Sequence, residues 1–322
     1  MTNICGEFYT MVWLYLILFI VLLLLLDLLV LSKLGSKTNN KAVAIESAFW
    51  IAIAALFALA VFYIYTHHLV ENINNLSPRQ ATLKYISGYL IELSLSMDNL
   101  FVIAMIFAQF KIPIENQHKP LFWGILGALL FRGIMIGVGV VLIHKISWIT
   151  YVFGVFLLYT AFKMLTTNEE ESDKHYLQKL RKYFRISNKI EGDKFWTVHN
   201  GIKMATPLFA ALVMIEFTDL IFAVDSIPAV LAVTTDPFIV FSSNMFAILG
   251  LRSMYFFLAN MMDKFIYLKY SVFAILLFVS VKLLTLAFVE IPEWFSLLYI
   301  GLCLGLGILI SLQHLKSDTI KS

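Results

Sequence analysis

The sequence predicts an all-α, polytopic membrane protein, and three observations support that fold class. First, 60% of the 322 residues are hydrophobic and only 14% are charged, with a mean hydropathy of +0.84. A soluble domain needs a larger polar share to cover its surface. Second, apolar stretches of about 20 residues recur, which is the length of a helix that crosses a bilayer. Third, most of the polar segments between them are short.

Nine apolar stretches are long enough to be spans. They cover residues 11–31, 43–66, 84–109, 121–143, 147–165, 205–233, 238–261, 269–289 and 294–313. The N-terminus lacks a basic segment and a small-residue cleavage site, so we interpret the first stretch as a span and not as a signal peptide. Residues 1–322 are therefore expected to form a single membrane domain.

Lysine and arginine concentrate in alternate loops, most densely in 166–203. The positive-inside rule then predicts a multi-pass protein of a bacterial-type inner membrane, with its N-terminus outside and its C-terminus in the cytoplasm. Within the long loop, "YLQKLRKYF" has the apolar and basic faces of an amphipathic helix on the anionic inner leaflet. A solvated connector helix is the alternative. The loop could also hold partner proteins, whereas a net charge of +3 is too small to indicate nucleic acid.

An internal repeat relates the third span to the sixth. "IELSLSMDNLF" resembles "TDLIFAVDSIP", and the same offset of 127 residues separates Glu92 from Asp219 and Asp98 from Asp225. Three spans match three spans in order, and because three is odd, the two copies enter the membrane from opposite sides. Inverted repeats of this kind are typical of secondary transporters. The copies cover residues 84–165 and 205–289.

Ionisable residues inside the predicted spans indicate a functional site. A carboxylate at the bilayer centre costs roughly 3 kcal/mol on insertion scales, so it needs a reason to be there. Acids outnumber bases in these spans, and a bound divalent cation or protons would balance them. Static ion pairs that hold the helices together are the alternative interpretation. The acids are Asp27, Glu46, Glu92, Asp98, Glu216, Asp219 and Asp225, and the bases are Arg132, Lys163, Arg252 and Lys282.

The side chains around these acids are hard oxygen donors, which suit Mn²⁺, Mg²⁺ and Ca²⁺. Pro228 is predicted to break the sixth span and to free the carbonyl of Val224 as a further ligand. The predicted metal ligands are Glu92, Asp98, Asn99, Glu216, Asp219, Asp225 and Ser226. The residues predicted to form a gate or to balance charge are Asp27, Glu46, Arg132, Arg252 and Lys282.

These residues predict a carrier and not an enzyme, and no cofactor is expected. Asp98 and Asp225 could instead share a proton in an intramembrane hydrolase, but the other acids would then be unexplained. A membrane scaffold that binds metal without transporting it, and that supplies this metal to secreted proteins, is the second alternative. This alternative depends on the loop 166–203. Cys5 and Cys303 are the only cysteines, and neither spacing suggests a disulfide, zinc or redox site.

The stretches "GYLIELSLSMDNLFV" and "FAVDSIPAV…TTDPFIV" resemble the TerC family of integral membrane proteins, particularly its Alx-like branch. The resemblance extends from the first span to near the end of the chain. It implies export of manganese from the cytoplasm, a link to tellurite resistance, and transport by the acids of the third and sixth spans. One departure is Leu93, where the family pattern usually has lysine after the first acid.

Overall fold

The computed structural model describes residues 2–27, 40–146, 148–166, 187, 192–199, 202–259, 268–285, 288 and 291–321, and most of these residues are helical. The first five helices are α1 (Thr2–Leu26), α2 (Asn40–Thr66), α3 (Pro78–Gln109), α4 (His118–Lys145) and α5 (Ile149–Thr166). A short hairpin follows, β1 (Trp196–His199) and β2 (Ile202–Ala205). The remaining helices are α6 (Pro207–Leu231), α7 (Pro237–Leu249), α8 (Leu251–Ala259), α9 (Leu268–Thr285) and α10 (Glu293–Lys321).

Five segments of the described helices are long and apolar enough to cross a membrane. They are Tyr9–Leu26, Val43–Thr66, Ile114–Ile143, Pro207–Leu231 and Trp294–Ser311. In the part of the chain that the structure describes, each predicted span overlaps one of the helices or, for 238–261, the pair α7 and α8. The protein is therefore a helical membrane protein, and the count of nine spans stays a prediction.

Helix α3 lies at the centre of the bundle. It packs against α2, α6, α7, α8 and α10, so its polar side chains are enclosed by protein. Ser87, Glu92, Ser94 and Ser96 are all buried along it. A helix in this position can carry polar groups that would be costly on a surface facing lipid.

The predicted repeat units pack against each other in matching pairs. Helix α3 packs on α7, α4 packs on α6, and α5 packs on α9. If a two-fold axis exchanged the two sets of three spans, the first two pairings would be equivalent and the third would lie on the axis. The inverted repeat remains a prediction, and this pairing is compatible with it.

The structure places the break in the second half of the molecule at Gly250 and not at Pro228. Helix α6 runs through Pro228, and the next turn closes when the backbone N–H of Ala232 donates to the Pro228 carbonyl at 2.9 Å. The helix therefore continues past Pro228, whose missing N–H removes a single hydrogen bond, and the Val224 carbonyl as a further ligand stays a prediction. The predicted span 238–261 is divided instead, since α7 ends at Leu249 and α8 begins at Leu251. A Cβ at Gly250 would come within 3.3 Å of the Trp50 Cβ.

A two-stranded hairpin precedes α6 and was not part of the all-α prediction. Strands β1 and β2 are antiparallel, with Trp196 opposite Ala205 and His199 opposite Ile202. The lysine Nζ of Lys119 donates to the Asp193 carbonyl at 2.6 Å, which ties the segment before β1 to the start of α4. The amphipathic helix predicted within 166–203 lies outside the described residues.

The turn between α6 and α7 is held by side chains from the preceding half of the chain. Lys84 Nζ of α3 donates to the Val233 carbonyl at 2.7 Å, and Asn74 Nδ2 donates to Thr235 Oγ1 at 3.1 Å. Asp236 caps α7, because one of its carboxylate oxygens accepts hydrogen bonds from the backbone N–H groups of the helix's first two residues after Pro237. The end of α6 is thereby fixed to α3.

Candidate ion-binding site

A buried arginine joins the two predicted repeat units. Arg132 of α4 is fully buried and forms an ion pair with Glu92 of α3. Its Nη2 and Nε donate to the two carboxylate oxygens of Asp219 on α6, at 2.7 and 3.3 Å. This is a forked arrangement on one carboxylate, with a second carboxylate on the other side of the guanidinium. The two acids that the repeat makes equivalent therefore meet at a single cation.

Two uncharged side chains complete this group. Asn99 lies on α3 seven residues after Glu92, and therefore on the same helical face. Its side-chain oxygen accepts a hydrogen bond from Arg132 Nη2 at 3.3 Å, and its Nδ2 donates to the Leu95 carbonyl at 3.2 Å. Ser96 Oγ donates to Glu92 Oε1 at 3.3 Å. We call Arg132, Glu92, Asn99 and Asp219 the Arg132 cluster.

The Arg132 cluster carries more negative than positive charge. One guanidinium faces two carboxylates, and Glu92 Oε2 is buried without a hydrogen-bond partner among the described side chains. An unbalanced carboxylate in a protein interior is costly unless a cation or a proton compensates it. The cluster therefore has capacity for additional positive charge.

Glu216 lies one turn before Asp219 on α6 and adds a third acid to this region. Its carboxylate packs directly against Gly127 of α4, where a Cβ would overlap the carboxylate atoms. An alanine at this position would force the Glu216 carboxylate to move. Glu216 Oε2 is buried and has no hydrogen-bond partner among the side chains that the structure describes.

A second arginine, Arg252, lies near the start of α8 and binds a different pair of acids. Its Nη1 lies 3.2 Å from Asp27 Oδ2, just after the end of α1. Its Nη2 donates to Glu46 Oε1 of α2 at 3.4 Å and to the Asp27 carbonyl at 3.3 Å. We call these three residues the Arg252 cluster. Lys282 lies elsewhere, where its Nζ donates to Ser296 Oγ at 3.0 Å between α9 and α10.

The structure unites only part of the predicted metal-ligand set. Glu92, Asn99 and Asp219 meet at Arg132, with Glu216 beside them, and Ser226 is buried further along α6. The side chains of Asp98 and Asp225 lie outside the described part of the structure. Among described residues, no group of three or more His, Cys, Asp or Glu side chains is arranged to hold a metal ion. The metal site as a whole therefore stays a prediction.

Gly127 is the contributor that the sequence did not single out, whereas Ser96 is one of the hydroxyls that it offered as hard oxygen donors. Gly127 stands in the "ILGALLFR" motif five residues before Arg132, and a glycine so close to a buried charge in a span indicates a close approach of another group. Ser96 follows Glu92 by four residues, which places the two side chains on one helical face. Both signals were available in the sequence.

These features define an integral membrane protein whose helices enclose paired ionisable groups. Residues 77–319 match the model of the integral membrane protein TerC family. The chain therefore belongs to the TerC family, as the resemblance of its motifs indicated.

Similar proteins occur in several bacteria. A membrane protein of Myxococcus xanthus, STKORF319, is 43% identical over 303 residues, covering 93% of this chain and 91% of the relative. The "Putative membrane-bound redox modulator Alx" of Escherichia coli K12 is 43% identical over 276 residues, covering 84% and 85%. The protein of that name in Photorhabdus laumondii is 40% identical over 300 residues, covering 91% and 92%. No solved structure matches the chain.

Proposed function

We propose that the chain is a secondary transporter that exports a divalent metal ion from the cytoplasm. Mn²⁺ is the proposed cargo, and protons are the proposed counter-ion. The observation that carries this proposal is that Glu92 and Asp219, from the two predicted repeat units, share one buried arginine. Binding sites between two such units are what alternating-access carriers require.

Charge and ligand type support a divalent cation as cargo. Arg132 cannot neutralise both carboxylates, and Glu216 adds a further acid one turn away. All of these groups, and the Asn99 amide, offer hard oxygen atoms that favour Mn²⁺, Mg²⁺ or Ca²⁺ over softer metals.

Arg132 has a specific part in the proposed cycle, because it occupies the same carboxylate oxygens that the cargo needs. Metal binding would replace the guanidinium on Asp219, and release would let Arg132 return. The site would thus hold a cation in both stages, and neither carboxylate would be left buried and unpaired. Protonation of the acids is the other way to reach the same balance.

The name given to the Alx relatives, a membrane-bound redox modulator, is compatible with this proposal. Manganese is a redox-active metal, so moving it across the membrane would alter redox chemistry without a thiol reaction in the protein itself. Cys303 in α10 is a free cysteine in the described part of the chain, and the proposal assigns no reaction to its thiol.

Flux in proteoliposomes tests the proposal. Purified full-length protein should move Mn²⁺, and parallel assays with Mg²⁺, Ca²⁺ and an imposed pH gradient would identify the cargo and the counter-ion. The double variant Glu92→Gln, Asp219→Asn should abolish flux. The same acid-to-amide change at Asp193, before β1, should leave flux unchanged. Wild-type flux by the double variant would refute the proposal, and metal binding without any wild-type flux would support the scaffold instead.

A further inference from the structure

A wide groove lies beside the Arg132 cluster, between α1, α4, α6 and α7. Its volume is about 710 Å³, and its walls include Ile17, Val21, Leu126, Leu130 and Phe241. Among the described residues that line it, Glu216 is the one charged side chain. The groove is therefore an apolar channel with a single acidic group on its wall.

This groove opens toward the hydrocarbon of the bilayer. Leu130 is 63% exposed and Ile17 is 48% exposed. Both residues stand within helical segments long and apolar enough to cross the membrane, as Glu216 does. An occupant would reach Glu216 sideways from the membrane and not along an aqueous path.

The acidic group in the groove is available to a ligand. Glu216 Oε2 is buried without a hydrogen-bond partner among the described side chains, and its carboxylate lies against Gly127. Arg132, the cation of the adjacent cluster, already contacts Glu92 and Asp219. The end of the groove at Glu216 is therefore electronegative.

We propose that this groove binds a lipophilic organic cation, with its apolar groups along α1 and α4 and its charge against Glu216. A cation that arrives through hydrocarbon must shed its water, which is very costly for a metal ion or an ammonium group. A charge spread over aromatic or alkyl groups loses little hydration, and its attraction to a carboxylate is strong at low dielectric. Trp123, which also lines the groove, offers an aromatic face to such a cation.

Binding of this cation goes beyond the proposed function and does not require metal transport. Its charge would lie one helical turn from Asp219, so it would also compete with a metal ion in the Arg132 cluster. Lipophilic cations are accordingly expected to inhibit metal flux if the chain is a metal carrier.

Equilibrium binding of radiolabelled tetraphenylphosphonium to the full-length protein in lipid nanodiscs tests the inference. Wild-type protein should bind it saturably, and Glu216→Gln should weaken binding by about tenfold or more, as expected when an ion pair at low dielectric is lost. Val21→Trp, which adds bulk to the α1 wall of the groove and leaves the Glu216 carboxylate in place, should also weaken binding. The matched control is Leu22→Trp, because Leu22 is 60% exposed on the same helix and does not line the groove.

Competition with neutral triphenylphosphine oxide separates the cation from other occupants. The neutral compound should fail to displace tetraphenylphosphonium. Equal displacement, unchanged binding by both Glu216→Gln and Val21→Trp, or no saturable binding would overturn the inference and leave the groove to lipid chains. Normal binding by a protein that shows no metal flux would uphold this inference while the proposed function fails.

Discussion

Arg132 and Arg252 are both buried and lie in matching segments of the predicted repeat, yet the acids that they bind come from different parts of the chain. Arg132 lies deep in the bundle between Glu92 and Asp219, with its shortest hydrogen bond to Asp219 at 2.7 Å. Arg252 lies near the ends of three helices, and its contacts with Asp27 and Glu46 are longer, from 3.2 to 3.4 Å. The first arginine joins the two repeat units, whereas the second joins repeat two to the two helices that precede the repeats.

Equivalent positions of the predicted repeat can therefore have different roles. The Arg132 cluster contains the acids that the repeat relates to each other, so we expect it to decide ion transport. The Arg252 cluster involves no acid from either repeat unit, so we expect it to fix α1 and α2 to the bundle. Four substitutions test whether the two clusters have these separate roles.

The largest effect is expected from Arg132→Met. It leaves Glu92 and Asp219 buried without their cation, which should destabilise the protein by about 3–5 kcal/mol and abolish flux. Thermal unfolding in detergent and flux in proteoliposomes measure the two effects. The triple variant Arg132→Met, Glu92→Gln, Asp219→Asn should recover stability without recovering flux. If Arg132→Met alone were as stable as the wild type, the two carboxylates would not depend on Arg132 for their stability in the interior.

Arg252→Met should have a smaller effect, about 1–3 kcal/mol for leaving buried polar groups unpaired. Asp27 and Glu46 lie near helix ends, where a stranded carboxylate can reach water more easily. Proteolysis of the α1–α2 region should be faster in the variant, while the remaining folded protein retains flux. Loss of flux in fully folded Arg252→Met would show that this cluster also takes part in transport.

Gly127→Ala should change the Arg132 region specifically. The new Cβ would displace the Glu216 carboxylate, and overpacking of this kind costs about 1–3 kcal/mol. Metal flux should fall together with stability. Gly137→Ala on the same helix is the matched control, since a Cβ at Gly137 meets nothing within 4 Å. Equal behaviour of the two variants would mean that Glu216 adjusts freely.

Asp27→Asn is expected to have the smallest effect, because Arg252 keeps Glu46 as a charged partner and the new amide oxygen can still accept a hydrogen bond from it. It removes one of two acids that share Arg252, and it keeps the residue 27 carbonyl that accepts from Nη2 at 3.3 Å. Unfolding should occur at nearly the wild-type temperature. A destabilisation as large as that of Arg252→Met would show that Asp27 supplies most of the interaction.

Much of the membrane fold and part of the site could be predicted from the sequence. The lengths of the apolar stretches agree with the described helices, and the repeat offset singled out Glu92 and Asp219, which do meet in the bundle. Their shared partner could not be deduced. The repeat treats Arg132 and Arg252 alike, and only the contacts of Arg132 with Glu92 of α3 and Asp219 of α6 distinguish them.

The two backbone features were predictable to different degrees. The pair Asn200–Gly201 between alternating residues is a strong hairpin signal, and it was missed because the whole of 166–203 was interpreted as a loop. The interruption at Gly250 had no comparable signal. Gly250 keeps helical backbone angles and lies close to Trp50 of α2, a contact that no local pattern records.

The bond from Lys84 to the Val233 carbonyl constrains how this protein can vary. Because the acceptor is main chain, position 233 can change its side chain and still receive the lysine. Adding or deleting a residue in the turn would move that oxygen out of register with α3. Natural diversity and engineering at this corner should therefore take the form of replacements, while changes of length should be rejected.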